Sequence, residues 1–307
     1  MNNHFVGKSA FAKEMNSLVD KVSLLDVCVL LIGETGVGKK HFAKSVHKHL
    51  SGNERDFFII NCKNLTENSL ENLQSNISKL ENSNTNKKVV TYCFNNVDLL
   101  SLDLQNTLLE IIKYARTVKI KHRFFFSSNS NLEEKVENLS FNADLYYCIS
   151  AIPVNFIPLR QRKEDVGEFA NYFVREFNFL QSTNFLGFSE EALQILENHF
   201  WKFNILELKN VVQQALIFAK DDIDVETVEE SLARVEEELR LQFVQDSLDK
   251  VRQANIADSL AYIDTLNVYE NFFKNSVARI YFPDDNHSMF DELFACMDRC
   301  SDSSNAE

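Results

Sequence analysis

The stretch GETGVGKK, Gly33 to Lys40, follows the apolar run VCVLLI at 27–32. It precedes KKHFAKSVHKHL, where Phe42, Val46 and Leu50 recur at helical spacing. A buried strand, a glycine-rich loop and a helix in that order leave few folds open. The chain has only seven glycines and three prolines, so the three glycines inside this one loop mark a place where the backbone must turn in ways other residues resist. Glycines at 33, 36 and 38 let successive N–H groups face an anion, the helix N-terminus adds a favourable dipole, and Lys39 can reach terminal phosphates. The candidate binding residues are Gly33, Glu34, Thr35, Gly36, Val37, Gly38, Lys39 and Lys40. The pattern departs from its usual form at the last position, because Lys40 stands where a Ser or Thr would hold magnesium. The plainer reading is a glycine-rich turn with no ligand.

Further short apolar runs recur at FFIINC (57–62), VVTYCF (89–94), FFFSS (124–128) and AIPVNFIPL (151–159), with helical segments such as LDLQNTLLEIIKYA (102–115) between them. Continuous apolar strands alternating with helices imply a parallel sheet covered on both faces. From Glu164 the pattern changes to consecutive amphipathic helices through about Ala219. The polar patch ENSNTNKK (81–88) reads as a surface loop.

At 307 residues the chain can bury a sizeable core. No signal-like apolar segment opens it and no run approaches the roughly 20 residues that span a bilayer, so a cytoplasmic protein with no membrane contact is expected. The net charge of −13 is concentrated at one end: Asp221 to Glu307 holds 21 acids and 7 bases. Such a segment is poorly suited to the phosphate contacts that dominate DNA affinity. The six cysteines, Cys28, Cys62, Cys93, Cys148, Cys296 and Cys300, are scattered, mostly within apolar runs. Cys296 and Cys300 lie one helical turn apart, but no histidine pair with ligand spacing accompanies them.

The loop GETGVGKK with AKSVH downstream resembles the AAA+ domain of bacterial sigma-54-dependent transcription activators. So, in family order, do FVGKSAFAKEM, FFIINC, LDLQNTLLEII, ADLYYCISAIPV, PLRQRKEDV and FWKFNILELKNVVQQALIFAK. The resemblance runs nearly continuously from about residue 5 to 220. It implies an α/β AAA+ P-loop NTPase fold with a parallel sheet over residues 1–160, an all-helical lid over 161–235, and an acidic helical extension over 236–307.

The resemblance also shows what has changed. Phe94–Asn95–Asn96 falls where the family's Walker B strand ends in Asp–Glu, the Asp holding magnesium and the Glu polarising the attacking water. In FNADLYYC the family places trans-acting arginines at the second and eighth positions, here Asn142 and Cys148; the lid's sensor arginine is replaced by Leu206. Asn129 matches the sensor asparagine after the fourth strand, and Asn61 the asparagine that pairs with the Walker B glutamate; both also fit as polar caps at strand ends. Residues 63–94 contain no glycine, so the GAFTGA-like loop that engages the sigma factor is missing, and RTVKIKHR is too short for the family's second loop. The similarity begins within the first ten residues, so no receiver domain is expected, and no helix-turn-helix is found in the C-terminal region. Phe272, Phe273, Phe282, Phe290 and Phe294 read as a partner-binding face or as plain core.

These features imply a pseudo-ATPase: no catalytic residue, no metal site, and ATP or ADP, if bound at Gly33–Lys40 and Asn129, held without magnesium. Such a protein would regulate through protein contacts, for instance with an intact AAA+ activator, rather than by gripping sigma-54 or DNA. A different reading makes the AAA+ fold a nucleotide-independent scaffold whose C-terminal region binds the partner. A third keeps ATPase activity by letting Asp98 or Asp103 rescue the metal site.

Overall fold

The computed structural model describes residues 5–51, 56–82, 89–219 and 223–253. Cys296, Cys300 and the five phenylalanines from Phe272 to Phe294 lie outside them. The chain divides into two compact units, 1–231 and 232–307.

In the first unit, α1 (Ala10–Ser23), β1 (Val29–Ile32), α2 (Lys39–Ser51), β2 (Phe57–Asn61), α3 (Glu67–Asn82), β3 (Val89–Asn95), α4 (Leu102–Ala115) and β4 (Lys121–Ser128) follow one another. Then come α5 (Leu132–Glu137), α6 (Ala143–Ile149) and β5 (Ile152–Asn155). The strands form one parallel sheet in the order β2-β3-β4-β1-β5. A lid of α7 (Val166–Gln181), α8 (Glu190–Asn198) and α9 (Asn204–Phe218) follows. The helix α10 (Val225–Gln253) contains the boundary between the units.

The runs of the inner strands β1, β3 and β4 stay hydrophobic at successive positions because both of their faces are buried, whereas β2 and β5 lie at the sheet edges and are largely half-buried or exposed. On one face Leu30, Val90, Tyr92, Phe94, Phe124 and Phe126 pack with α3, α4 and α6. On the other, Val29, Leu31, Cys93, Phe125 and Val154 pack with α1 and α2. The period of two is visible within VVTYCF and FFFSS. Registered neighbours stack as aromatic rungs: Tyr92 on Phe124 at 5.5 Å and Phe94 on Phe126 at 5.3 Å between ring centroids. Two polar residues in this core have each other, since His47 Nδ1 lies 2.8 Å from Thr91 Oγ1.

Two local features go beyond the sequence reading. Residues 63–94 hold a 16-residue helix, α3, whose Leu70, Leu73 and Ile77 are buried on the sheet. It runs two residues into the polar patch at 81–88. The fourth strand also begins earlier than FFFSS, at Lys121, where it pairs with Val89 of β3, and Arg123 is buried within it. Its guanidinium donates to the carbonyls of Val22 (3.3 Å), Ser23 (2.7 Å) and Leu25, closing the C-terminal end of α1.

The opening segment is fixed by one carboxylate. Asp165, fully buried, accepts from the N–H groups of Lys8 (2.8 Å) and Ser9 (2.7 Å) and from Ser9 Oγ (2.6 Å), while Ser9 caps α1 at Ala12.

Candidate nucleotide site

With the order β2-β3-β4-β1-β5, the loop leaving β1 emerges between the ends of β4 and β5. Parallel sheets bind ligands at such carboxyl-end crevices. Gly33 N donates to Ser128 O at 3.2 Å, and Phe156 N donates to Ile32 O at 2.7 Å, so the loop starts tied on both sides. Gly33 has φ 148°, and a Cβ there would lie 2.8 Å from Phe156 O. Only glycine meets both demands. The loop ends at Gly38, whose carbonyl accepts from Phe42 N at 3.1 Å, and α2 begins at Lys39. Val37 is fully buried and anchors the loop in the core, while Thr35 and Lys40 are exposed.

Lys39 is the electrostatic centre. The residue is 9% exposed, and its ammonium donates to the carbonyls of Gly33 and Glu34 (2.9 Å) and to Asn129 Oδ1 (2.7 Å). Burial pushes its pKa down to about 8, with the carboxylates of Asp98 and Glu34 opposing that shift. Asn129 also donates from Nδ2 to Thr35 Oγ1 (3.3 Å) and Asn96 Oδ1 (3.4 Å), so one amide joins the loop, the lysine and the end of β3.

The end of β3 carries amides where charge would be expected. Asn95 Oδ1 accepts from Ser127 Oγ at 3.3 Å; Asn96 takes the left-handed conformation (φ 58°), and its N–H donates to the same hydroxyl at 3.3 Å. Asp98 follows in a short 3-10 turn. Its Oδ2 accepts from Ser130 Oγ (2.7 Å), its carbonyl from Lys135 Nζ (2.8 Å), and its Oδ1 is buried with no partner. Asp103 is exposed on the first turn of α4. Asn61 caps the turn after β2 through Lys63 N at 3.2 Å, and Asn142 caps α6 through Leu145 N at 2.9 Å.

Three residues of this site escaped the sequence reading: Arg160, Arg162 and Asn204. Arg160 grips Glu34 through both guanidinium nitrogens, Nη1 lying 2.7 Å from Oε2, and holds that carboxyl below the usual range. Arg162 is 1% exposed; its Nη2 donates to Val37 O at 2.9 Å and its guanidinium lies 4.7 Å from the Phe11 ring centroid. Burial pushes its pKa down to about 10, against the pull of Asp165.

Asn204 opens α9 with φ 55° and is fully buried. Its Oδ1 accepts from Leu159 N (2.7 Å), and its Nδ2 donates to Thr35 O (2.9 Å) and Glu34 Oε2 (3.1 Å). Ile205 N donates to Gly36 O at 3.1 Å, and a Cβ on Gly36 (φ 81°) would collide with the carbonyl oxygen of Phe203. The start of α9 is thus seated directly on the loop. Leu206, half exposed, faces it with an apolar side chain. The available sequence signals were arginines in PLRQRKEDV with no assigned partner and an asparagine at a helix start.

Sheet order, glycine loop and helical lid together define a P-loop NTPase fold of the AAA+ type. The Sigma-54 interaction domain model matches residues 6–159 and the AAA+ ATPase lid domain model residues 160–242. The chain therefore belongs to the sigma-54-activator family of AAA+ proteins.

The nitrogen fixation protein AnfA of Azotobacter vinelandii is 31% identical over 240 residues, covering 72% of this chain and 44% of AnfA. A Nif-specific regulatory protein of Rhizobium leguminosarum bv. trifolii is 31% identical over 237 residues, covering 72% and 67%. The chain spans about half the length of most of these curated relatives, 44–48% for AnfA, XylR of Pseudomonas putida and NorR of Aliivibrio fischeri.

Among solved structures, NtrX from Brucella abortus in complex with ADP superposes with a TM-score of 0.58 at 19% identity, covering 72% of this chain and 54% of NtrX. Thermotoga maritima RuvB R170A gives 0.53 at 13%, covering 86% and 85%. Both likenesses concern the fold alone. Among the described residues no helix is long and apolar enough to cross a membrane.

Proposed function

We propose that this chain is a catalytically degenerate, sigma-54-activator-like regulator that holds ATP or ADP without magnesium and acts through contacts with other proteins in transcription regulation. The observation that carries this reading is the contrast around Asn129. On its β1 side Lys39 and the glycine loop are assembled for a polyphosphate; on its β3 side the strand ends in Asn95 and Asn96 with no carboxylate.

The residues present fit the phosphates. Lys39 has three donors on three protein acceptors, one of which an anion can replace, and Gly33, Gly36 and Gly38 keep the loop free of side chains that would crowd it. A bound nucleotide would supply a polyphosphate anion to be held. The residues do not fit the magnesium. Lys40 puts a cation in place of a hydroxyl, and Asn95 offers a neutral amide already engaged by Ser127. Asn96 cannot take a proton from water. Loss of a trans arginine alone costs on the order of 10³–10⁵ in related phosphoryl transfers, and Asn142 and Cys148 occupy those positions here.

The partner is taken to be a protein, an intact AAA+ activator being the first to try. With α3 filling residues 67–82 and β4 starting at Lys121, direct engagement of sigma-54 is not expected; nor is DNA binding, given the excess of acids over bases from Asp221 onward. Calorimetric titration with ATP and ADP, with and without magnesium, tests the reading: binding that ignores magnesium and vanishes in Lys39→Ala supports it. Magnesium-dependent turnover abolished by Lys39→Ala overturns it and revives Asp98 as a metal ligand.

A nucleotide-independent scaffold is favoured by one observation, that Lys39 and Gly36 are already satisfied by the protein's own carbonyls and by the start of α9. In that case partner capture survives Lys39→Ala and is lost on removing residues 236–307.

A further inference from the structure

Every carbonyl of the phosphate loop from Gly33 to Gly38 has a donor from the protein. Lys39 Nζ serves those of Gly33 and Glu34, Asn204 Nδ2 that of Thr35, Ile205 N that of Gly36, Arg162 Nη2 that of Val37 and Phe42 N that of Gly38. The negative ends of the loop's peptide groups are therefore already engaged and do not compete with a bound anion. One full negative charge is left among residues 33–40, the side chain of Glu34. It belongs to the same residue whose carbonyl accepts from Lys39 at 2.9 Å, and the carboxylate and the Lys39 ammonium act on each other. Standing alone, that carboxylate would oppose the polyphosphate that Lys39 attracts.

Arg160 answers the charge from outside the loop. It lies in the 3-10 turn Leu159–Gln161, between β5 and α7. Its Nη1 donates to Glu34 Oε2 at 2.7 Å and its Nη2 to Glu34 Oε1, a fork-on-fork pair. Two neighbours fix the aim of this pair. The Phe200 ring centroid lies 5.0 Å from the Arg160 guanidinium carbon, and Asn204 Nδ2 donates to the same Oε2 at 3.1 Å. The two side chains keep 28% and 42% of their surface in solvent, and ion pairs that exposed add little to folding stability. The bidentate geometry points to a task at the loop instead.

We propose that Arg160 is a positioning residue for the nucleotide: by pairing with Glu34 it cancels the one negative charge of the phosphate loop and keeps the loop receptive to a polyphosphate. The inference rests on the nucleotide-holding reading above and adds to it a residue that precedes the lid. Arg160 does not touch the phosphates in this scheme; Lys39 does. Because the opposing charge is the protein's own, the benefit grows with the charge of the ligand and is larger for magnesium-free ATP than for ADP.

Calorimetric titration of the full chain with magnesium-free ATP and ADP tests this in four forms: unaltered, Arg160→Met, Arg160→Lys, and Glu34→Gln with Arg160→Met. Arg160→Met should weaken ATP binding roughly tenfold and ADP binding less, and the loss should shrink between about 50 mM and about 500 mM salt. Arg160→Lys keeps the charge on a side chain that cannot form the fork, and should recover most of the affinity. The double variant has no charge left to cancel and should return to within a few-fold of the unaltered chain. If the pair only holds the lid in place, the double variant binds as poorly as Arg160→Met, because both sides of the pair are gone; that result overturns the proposal. Arg160→Met binding ATP as tightly as the unaltered chain overturns this inference alone. No ATP binding by the unaltered chain overturns the nucleotide reading and this inference with it.

Discussion

The ends of β1 and β3 lie on either side of β4 in one sheet, and they differ in charge. The end of β1 retains its glycines, its lysine and the helix that follows. The end of β3 retains its shape, with Asn96 in the left-handed conformation and hydrogen-bonded to Ser127 and Asn129, yet carries no charge. A phosphate loop is built mainly from backbone, so it survives as long as the fold does. A metal and water site is built from two carboxylates, which repel each other and are costly beside a buried sheet. Amides such as Asn95 and Asn96 make hydrogen bonds there without that cost.

The largest effect that could break this comparison is at Lys39. If the loop is a working anion site, Lys39→Ala removes a charge-assisted contact worth about 2–3 kcal/mol, and ATP affinity should fall roughly 30- to 150-fold by calorimetry. An unchanged affinity would place the ligand elsewhere and remove the functional contrast between the two strand ends.

Next in size is Asn204→Ala. The variant leaves Leu159 N buried without its acceptor and takes one bond each from Glu34 and Thr35. A cost of about 1–3 kcal/mol is expected, seen as a fall of several degrees in Tm. The left-handed backbone at Asn204 adds strain for alanine. If Tm does not move, the lid is not anchored to the loop through this side chain.

Both predictions rest on residues of unequal legibility. The strand–loop–helix unit could be read from the sequence because glycine spacing and hydrophobic period are local. The inner strands were legible because burial on both faces makes them continuously apolar; β2 was legible from the apolar run FFIIN although Phe58 and Ile59 are exposed at the sheet edge. Asn204 and Arg160 were not, since their partners Glu34 and Thr35 lie more than 120 residues away and nothing local records the pairing. Lys121 to Arg123 look like loop, and are strand because they pair with Val89 to Thr91 of β3 while the end of α1 offers Arg123 its carbonyls. Likewise α3 is ordinary amphipathic helix, but its presence mattered less to the sequence reading than the glycines missing from it.

A smaller effect comes from pH. Lys39 has its pKa pushed down to about 8 by burial, and a bound phosphate would raise it again. Binding is then strongest below pH 8, where Lys39 is already charged, and requires proton uptake above it. Affinity should weaken by at most about tenfold per pH unit between pH 8 and the bound-state pKa. The same depressed value means that stability gains as pH rises from about 8 toward the ordinary lysine range, because the unfolded chain there holds a proton that the folded one lacks. Titrations at pH 7.5 and 9 in buffers of different ionisation heat measure the uptake directly; a flat profile would mean that Lys39 does not meet the phosphates.

The smallest expected effect is the most pointed, because it asks whether charge alone separates the two strand ends. Asn95→Asp restores one carboxylate at a position whose oxygen already accepts from Ser127 Oγ, so the geometry needs little adjustment. One acid beside Lys40 does not rebuild a magnesium site, and Asn96 still cannot take a proton. The variant should gain a few-fold preference for ATP with magnesium over ATP alone, about 1 kcal/mol or less, and no turnover. Turnover from that single change would mean that the β3 end had lost only its metal ligand and that water activation is supplied by some other group, with Asp98 the first candidate. No change in magnesium preference would mean that Lys40 on the β1 side excludes the metal by itself, whatever charge the β3 end carries.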